Sequence, residues 1–361
     1  MRTKLSKLTC CVIFLTAFFA VSMPVTANAN WSITRLGFDY FDVTPTAVND
    51  TGQIVGYAFN DSDKSRHAFI TGSGGVGLTD LGTLGGTESY ASGINNVGQV
   101  TGAFRTADEE WHAFITGPNG AGMTDLGNLG GYAVVPSAIN NSGQVVGVVE
   151  TGLGSSGFMT GANGQGITYL GSLIYAEGIN DSGQVAGTFL TPESWFRAFI
   201  TGPNGEGMID LGTLGGLESF ANALNNSGQV IGQSNTFSGR IHGFVTGSNG
   251  EGMTDLSNLN IFNQGELIGI TNSADIVGSS FIYSQGVVHD FSLLPPVVAA
   301  GWTGLSAIDV SNNGQIVGFG VINEQFETFL LSPIPEPEVY AMLVAGLGLI
   351  GLMGCRKKTA V

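Results

Sequence analysis

The stretch Asn95-Asn96-Val97-Gly98-Gln99-Val100-Thr101-Gly102 holds the pattern that decides the fold of this chain. Its two asparagines and Gly98 tolerate positive φ, so they predict a tight hairpin turn between two short strands. The pattern Asn-Asn/Asp-x-Gly-Gln-Val/Ile-x-Gly recurs at 49–56, 140–147, 180–187 and 225–232, with diverged copies at 271–278 and 311–318. Successive copies lie 40 to 46 residues apart, a period typical of propellers and solenoids.

Each repeat divides into four short apolar stretches separated by turn residues. In the second repeat these are Thr79–Gly82, Tyr90–Ile94, Gln99–Phe104 and His112–Thr116. Four short strands in about 40 to 46 residues are typical of one β-propeller blade. The body begins with a stretch like the first strand, at 33–37, and ends with one like the fourth, at 328–333. We therefore predict an all-β, seven-bladed β-propeller of four-stranded blades, closed by pairing of its two ends. An open β-solenoid or a sandwich array is the alternative.

The composition restricts the kinds of partner and the means of stabilisation. Glycine accounts for 57 of 361 residues and charged residues for 11%, with a formal net charge of −16. Six of the twelve basic residues lie in the two terminal segments, so an acidic body remains that repels nucleic acid. The three cysteines, Cys10, Cys11 and Cys355, also lie near the ends. The body therefore carries neither a disulfide framework nor a zinc–thiolate site.

Residues 1–29 follow the pattern of a secretory signal peptide. A basic start precedes an apolar stretch at about 8–21, and Ala27 and Ala29 supply the small-x-small cleavage pattern. We expect a signal helix that is removed by cleavage, so that the mature chain begins near Asn30. An N-terminal membrane anchor that is retained is the alternative.

The C-terminal tail, residues 334–361, contains three elements in order. They are the triplet Pro335, Glu336 and Pro337, an apolar run at 339–354, and the basic cluster Arg356, Lys357 and Lys358. As a helix the run would be about 24 Å long, slightly short of the usual membrane span. The basic cluster would stay in the cytoplasm. We therefore predict a transmembrane helix at 339–354, with the repeat body, residues 30–333, on the outside.

At these residues the chain resembles the PEP-CTERM sorting tail of Gram-negative bacteria. The resemblance implies recognition by an exosortase-type membrane enzyme, which would cut near Pro335–Pro337. The body would then pass from the periplasmic side of the inner membrane to the cell surface or the extracellular space. The resemblance also implies an association with exopolysaccharide and biofilm. A permanent single-span anchor is the alternative.

The fourth strand of the repeat carries a second resemblance. The triplets at 67–69, 112–114, 197–199 and 242–244 read His-Ala-Phe or a close variant, and they resemble the HAF extracellular repeat. This resemblance spans residues 31–333 and implies an exported repeat protein without an assigned activity. Two repeats depart from the triplet, with Ser156 and Glu327 at the histidine position.

The recurring histidines and aspartates invite a metal-site interpretation. His67, His112 and His242 occupy equivalent positions, but Ser156, Arg197 and Glu327 replace histidine in other repeats. We therefore predict a packing and hydrogen-bonding role for the histidines. A structural role is also expected for the aspartates that recur in the first strand of the repeat, Asp80, Asp125, Asp210 and Asp255.

The Asn/Asp turns offer the hard oxygen ligands that Ca²⁺ takes. Each turn holds at most one carboxylate, as at Asn49-Asp50-Thr51-Gly52. Turn geometry explains these residues without a metal, so no metal site and no cofactor are predicted. Binding of Ca²⁺ is the alternative.

Trp111 and Trp195 break the repeat beside carboxylates, in the segments 108–111 and 193–196. We expect these segments to be loops between the third and fourth strands. An aromatic ring beside a carboxylate suits stacking on a sugar and hydrogen bonding to its hydroxyls. Both tryptophans are therefore candidate ligand contacts, and an ordinary solvated turn with a partly buried tryptophan is the alternative.

The sequence shows no carboxylate or histidine cluster that escapes the repeat at the ring axis, and no nucleophile or metalloprotease motif. We therefore expect a non-enzymatic surface or matrix protein, with extracellular polysaccharide as its candidate partner. A secreted propeller enzyme that acts on glycans as a hydrolase or lyase is the first alternative. A membrane-tethered sensor ectodomain is the second.

Overall fold

The computed structural model describes residues 30–39, 43–152, 154–259 and 266–334. Within them the chain forms 28 β-strands, arranged as seven four-stranded sheets. The described part contains no helix that is long and apolar enough to cross a membrane. The predicted signal helix and the predicted transmembrane helix at 339–354 lie outside the described residues.

Six sheets are antiparallel meanders of four strands that follow one another in the sequence. Blade 1 contains β2 (Val43–Val48), β3 (Ile54–Asn60), β4 (Ser65–Ile70) and β5 (Thr79–Gly82). Blade 2 contains β6 (Glu88–Ile94), β7 (Val100–Arg105), β8 (Trp111–Thr116) and β9 (Met123–Gly127). Blade 3 contains β10 (Ala133–Ile139), β11 (Val145–Thr151), β12 (Gly154–Thr160) and β13 (Ile167–Ser172).

The next three blades repeat the same order. Blade 4 contains β14 (Ile174–Ile179), β15 (Val185–Leu190), β16 (Phe196–Thr201) and β17 (Met208–Asp210). Blade 5 contains β18 (Gly215–Leu224), β19 (Val230–Thr236), β20 (Ile241–Thr246) and β21 (Met253–Asp255). Blade 6 contains β22 (Leu267–Ile270), β23 (Ile276–Gly278), β24 (Phe281–Ser284) and β25 (Val287–Asp290). The helix α1 (Pro295–Ala300) connects blade 6 to blade 7.

Blade 7 joins the two ends of the repeat body. It combines β26 (Thr303–Val310), β27 (Ile316–Ile322) and β28 (Gln325–Ile334) with β1 (Asn30–Asp39), which pairs with β28 as the outermost strand. Leu36 of β1 packs against Leu330 of β28 and Val48 of blade 1 in one apolar cluster. The predicted seven-bladed propeller, closed through its ends, is therefore confirmed, and the open solenoid is wrong.

The core lies between neighbouring blades rather than within any one of them. Each blade contributes one phenylalanine whose side chain is fully buried: Phe69, Phe114, Phe158, Phe199, Phe244, Phe281 and Phe329. Phe114 of blade 2, for example, packs with Ala47 and Ile70 of blade 1. A single sheet cannot cover both of its faces, so each blade gains its stability from its two neighbours.

The repeat in the sequence is offset from the blade by one strand. The stretch Thr79–Gly82 is the outer strand of blade 1, whereas the three stretches that follow it form the inner strands of blade 2. The predicted strands agree with β6, β7 and β8 to within two residues. This offset leaves an outer strand at the N-terminus for blade 7 to use.

Two positions of the repeat pattern require glycine for different structural reasons. Gly98 has a φ of +77° in the hairpin turn, a conformation that favours glycine. Gly102 lies on β7 opposite Ala91, next to a bulge in β6. A Cβ atom there would lie 2.0 Å from the carbonyl oxygen of Tyr90. The second glycine therefore lets the bulged inner strand approach its neighbour.

Candidate functional site

The first strands of all seven blades surround a channel of about 290 Å³ along the ring axis. Every first strand carries a bulge before its last two residues, as between Ala91 and Gly93 in β6. The residue inside the bulge lacks a partner on the second strand. Along the ring these residues are Thr46, Ser92, Ser137, Glu177, Asn222, Ile268 and Ile308. Five of the seven are polar, so the bulges bring hydrogen-bonding groups to the channel wall.

Glu177 is the one carboxylate in this set, and it breaks the repeat. Its side chain is exposed at the wall of the channel. The channel walls nevertheless desolvate its carboxylate, and this burial raises the pKa of Glu177. No hydrogen bond to its carboxylate is found within the described ranges. Glu177 therefore has an unusual electrostatic environment at the axis.

Asp309 is a second carboxylate on the channel wall, at a position where other blades have alanine or glycine. Burial raises the pKa of Asp309 to about 6, although hydrogen bonds from the backbone of Val48 and Val310 oppose the rise. The Val48 N–H donates to Asp309 Oδ2 at 2.8 Å. Since Val48 belongs to blade 1, this contact crosses the boundary between the last blade and the first.

Neither carboxylate was predicted as a site residue, because the two stand alone in the sequence rather than in a cluster. Their residue types do break the repeat, so an alignment of the seven inner strands would have marked them. What the sequence could not supply was the bulge, which turns a strand residue toward the channel.

The Asn-rich turns form a belt of hydrogen bonds around one face of the ring, which we call the Asn-turn face. Each leading asparagine donates from Nδ2 to the carbonyl oxygen of the corresponding residue in the next blade. These bonds measure 2.9–3.1 Å. They join Asn49 to Asn95, Asn95 to Asn140, Asn140 to Asn180, Asn180 to Asn225 and Asn225 to Thr271. The same asparagine accepts from its own turn, as Asn95 Oδ1 does from Gln99 N at 2.9 Å. The pattern therefore encodes both the hairpin and the contact with the next blade.

The second turn residue forms a parallel belt that closes on itself. The backbone N–H of Asp50 donates to Asn96 Oδ1 at 3.0 Å, and equivalent bonds continue through blade 6. At blade 7 the contacts differ: the N–H of Asn272 donates to the carbonyl oxygen of Asn312 at 3.0 Å, and the N–H of the third turn residue, Asn313, donates to Asp50 Oδ1 at 2.9 Å. The turn oxygens are thus used to join blades.

Across the described ranges no group of three or more His, Cys, Asp or Glu residues is placed to hold a metal ion.

The recurring histidines pair with the recurring aspartates at the outer edge of the blades. The Nδ1 atom of His67 lies 2.8 Å from Asp80, that of His112 lies 2.9 Å from Asp125, and that of His242 lies 2.8 Å from Asp255. Arg197 takes the same place opposite Asp210 at 3.8 Å. Each pair joins the third and fourth strands of one blade. This geometry agrees with the structural role predicted for both residue types.

Blade 7 has the opposite arrangement of charge. Glu327 stands on the third strand where blades 1, 2, 4 and 5 have histidine or arginine, and Arg35 stands on the fourth strand where those four blades have aspartate. The Arg35 guanidinium donates to Glu327 Oε1. The pair therefore joins β1 to β28 with reversed polarity.

The opposite face of the ring carries the turns between second and third strands and has a concentration of aromatic side chains. We call it the aromatic face. Tyr57, Tyr90 and Trp111 form one group, with ring centroids 4.9 and 5.8 Å apart. Tyr90 donates to Glu88 Oε2 at 2.6 Å, and burial, aided by Glu88, raises the pKa of Tyr90. Its hydroxyl therefore stays protonated at neutral pH.

A second aromatic group lies at blades 4 and 5. Phe196 contacts Tyr175 at 6.3 Å and Phe220 at 5.7 Å between ring centroids. Trp195 precedes Phe196 in the turn, and its side chain is 39% exposed. Phe237, in the equivalent turn of blade 5, is 94% exposed. Trp195 and Phe237 thus present exposed aromatic side chains in two turns on the aromatic face.

The two predicted tryptophan contacts lie on the same face but in different settings. Trp195 lies in a turn, as expected. Trp111 is instead the first residue of β8 and is partly buried against Tyr90, so the expected loop ends one residue earlier. The carboxylate of Glu109 remains nearby, bonded to Arg105 at 3.4 Å. Successive residues of a paired strand point to opposite faces of the sheet. This alternation places the Trp111 ring against the ring of Tyr90.

The C-terminal residues 333–358 match the family model of the PEP-CTERM protein-sorting motif. This range includes Pro335, Glu336 and Pro337 and the basic cluster that follows the apolar run. The motif implies an exported protein that is anchored in the membrane during sorting and processed by the membrane enzyme exosortase. A search of curated proteins found no match to this chain.

Solved structures resemble the propeller in fold alone. The β-propeller domain of the Trilobed protease from Pyrococcus furiosus is 6% identical, with a TM-score of 0.53 over 82% of this chain and 98% of that domain. The acylaminoacyl peptidase of Pyrococcus horikoshii is 8% identical, with a TM-score of 0.53 over 87% of this chain and 55% of the peptidase. A prolyl endopeptidase is 10% identical, with a TM-score of 0.51 over 86% and 51%. The chain thus spans about half the length of the two peptidases.

Proposed function

We propose that this protein is a non-enzymatic surface or matrix module whose propeller binds extracellular polysaccharide through the aromatic face. The sorting motif supplies the exported setting. The observation that carries the proposal is the pair of aromatic groups at Trp111 and Trp195, each beside carboxylates. Rings of this kind offer flat apolar surfaces, and their polar neighbours offer hydrogen bonds to hydroxyl groups.

The charge of the body restricts the class of polysaccharide. Residues 30–333 contain 26 acidic and six basic residues, a net charge of −20. Such a surface repels polyanions over the distance of a Debye length, about 8 Å at physiological ionic strength. The ligand class that fits is therefore a neutral polysaccharide, or one that carries amino groups, rather than a polyuronate.

The proposal also covers the processing of the two chain ends and the location of the body. We infer that residues 1–29 are a cleaved signal peptide and that the run at 339–354 anchors the chain before processing. The resemblance to the HAF extracellular repeat and the association with biofilm support a role in the extracellular matrix. The body would then act at the cell surface or outside the cell.

Replacement of Trp195 or Trp111 by alanine tests the proposal. Truncating an aromatic anchor in an interface commonly weakens binding by about 1.4 kcal/mol, or roughly tenfold. We expect each variant to bind the purified neutral exopolysaccharide of the producing cells about tenfold more weakly, measured by retardation in polysaccharide-containing gels. Val76→Ala is the matched control, because Val76 is 74% exposed but lies on the Asn-turn face. Wild-type affinity in both tryptophan variants would refute the assignment of the aromatic face.

A second candidate function, a glycan hydrolase or lyase, is favoured by one observation. Glu177 lies unpaired in the axial channel, and burial raises its pKa, as suits a general acid. Incubation of the polysaccharide with wild type and with Glu177→Gln, followed by assay of new chain ends, separates the two functions. New ends that form with wild type and not with Glu177→Gln would replace the binding role by catalysis.

A further inference from the structure

The pair Arg35–Glu327 differs from its equivalents in polarity. In blades 1, 2, 4 and 5 the third strand carries histidine or arginine and the fourth carries aspartate. In blade 7 the third strand carries Glu327 and the fourth carries Arg35. We propose that this reversal is a device for strand selection, which directs β1 to β28 and keeps the aspartate-bearing outer strands away from it.

The need for selection follows from sequence similarity and from distance along the chain. The segment Thr34-Arg35-Leu36-Gly37 matches the outer-strand segment Thr79-Asp80-Leu81-Gly82 except at the charged position. His67 and Asp80 are 13 residues apart, whereas Arg35 and Glu327 are 292 residues apart. Closing the longer loop has the greater entropic penalty. The outer edge of β28 therefore stays unpaired longest during folding, and other strands can pair with it in that time.

The reversed pair acts against those wrong partners. An aspartate-bearing outer strand, whether of this chain or of a second copy, would place its carboxylate against Glu327. Like charges directly opposite on neighbouring strands are destabilising. Conversely, β1 placed on β16 would bring Arg35 against Arg197. Discrimination of this kind requires a repulsive element as well as an attractive one.

The burial of Glu327 supports selection over simple stabilisation. Its side chain is nearly buried, and within the described residues its Oε2 atom has no hydrogen-bond partner. An unpaired oxygen of a buried carboxylate is unfavourable. The Arg35–Glu327 pair therefore leaves one buried carboxylate oxygen unsatisfied at the one blade that is closed by a distant strand.

The decisive variant is the double replacement Arg35→Glu with Glu327→Arg in the full chain. It keeps an attractive pair but gives blade 7 the polarity of the other blades. We expect native amide-exchange protection of residues 30–39 in the folded monomer, and a monomer yield after refolding that is about threefold lower than for wild type. Size-exclusion chromatography measures the yield, and exchange detected by mass spectrometry measures the protection.

Two further sets of variants make the result decisive. Arg197→Asp with Asp210→Arg reverses a pair whose strands are joined by a short turn, and we expect it to refold with the wild-type yield. At position 35, lysine, glutamine and glutamate should give successively lower yields, which also tests the proposal if the double variant does not fold. Equal yields for Arg35→Lys and Arg35→Glu, or for wild type and a folded double variant, would overturn it.

Discussion

At the scale of single residues, the Asn-x-x-Gly-Gln pattern serves two neighbouring blades at once. Asn95 Oδ1 accepts within its own turn, while Asn95 Nδ2 donates to the Asn140 carbonyl at 3.0 Å. Gln99 Nε2 reaches Asn163 Oδ1 of the next blade at 3.1 Å. One short pattern therefore fixes the local turn and the arrangement of blades around the axis, because each amide has both a donor and an acceptor.

Asp309 gives a residue-scale prediction about pH. Its pKa in the folded protein is raised to about 6, above the ordinary value of about 3.9. The folded state therefore holds this proton more tightly, and the contribution of Asp309 to stability is lost as pH rises from about 4 through 6. We expect Asp309→Asn to raise the free energy of unfolding by about 2 to 3 kcal/mol at pH 7.5 and by little at pH 4.

Denaturant unfolding of wild type and Asp309→Asn at several pH values measures this difference. Asp61→Asn is the matched control, since the Asp61 side chain is 89% exposed. A difference between wild type and Asp309→Asn that stays constant from pH 4 to 7.5 would show that the carboxylate does not titrate in this window.

At the scale of strands, six of the seven blades have a close approach between a carbonyl oxygen of the bulged first strand and a glycine of the second strand. Replacing Gly102 by alanine would place Cβ 2.0 Å from the Tyr90 carbonyl oxygen, a backbone atom that cannot rotate away. We expect Gly102→Ala to lower the free energy of unfolding by about 3 kcal/mol, because the two strands must separate locally.

Thermal unfolding of the two glycine variants checks this expectation. Gly152→Ala is the control, because a Cβ atom at Gly152 meets nothing within 4 Å. A melting temperature for Gly102→Ala equal to that of Gly152→Ala would mean that the bulge is not needed for pairing of β6 with β7.

At the scale of the whole molecule, the sorting motif in the tail implies export and membrane-anchored sorting of the chain. Replacing Pro335, Glu336 and Pro337 by alanine removes the triplet of the sorting motif. We expect the shorter processed product to disappear and the chain to accumulate in the membrane fraction. Immunoblotting of cell fractions, with and without exosortase, measures both effects. A product of unchanged size and location in all strains would argue against processing at this tail.

The sequence by itself determined the number of blades, the sorting tail and the closure through the two ends. These features are repeated or local: a turn pattern recurs seven times, and the motif at 333–358 is contiguous. The repetition of the His and Asp positions also predicted a structural role for them, and in the structure these residues pair within their blades.

Only the tertiary structure decided which residues meet at the axis and across blade boundaries. Glu177 reaches the channel from a bulge, which depends on pairing with the next strand, and Asp309 lines the channel beside the bulge in blade 7, where it accepts from Val48 of blade 1. Arg35 and Glu327 pair because 292 residues of chain return to the starting blade. Contacts of this kind depend on how the twist and register of the strands add up around the ring. The repeated sequence pattern reflects only the environment that is common to all blades.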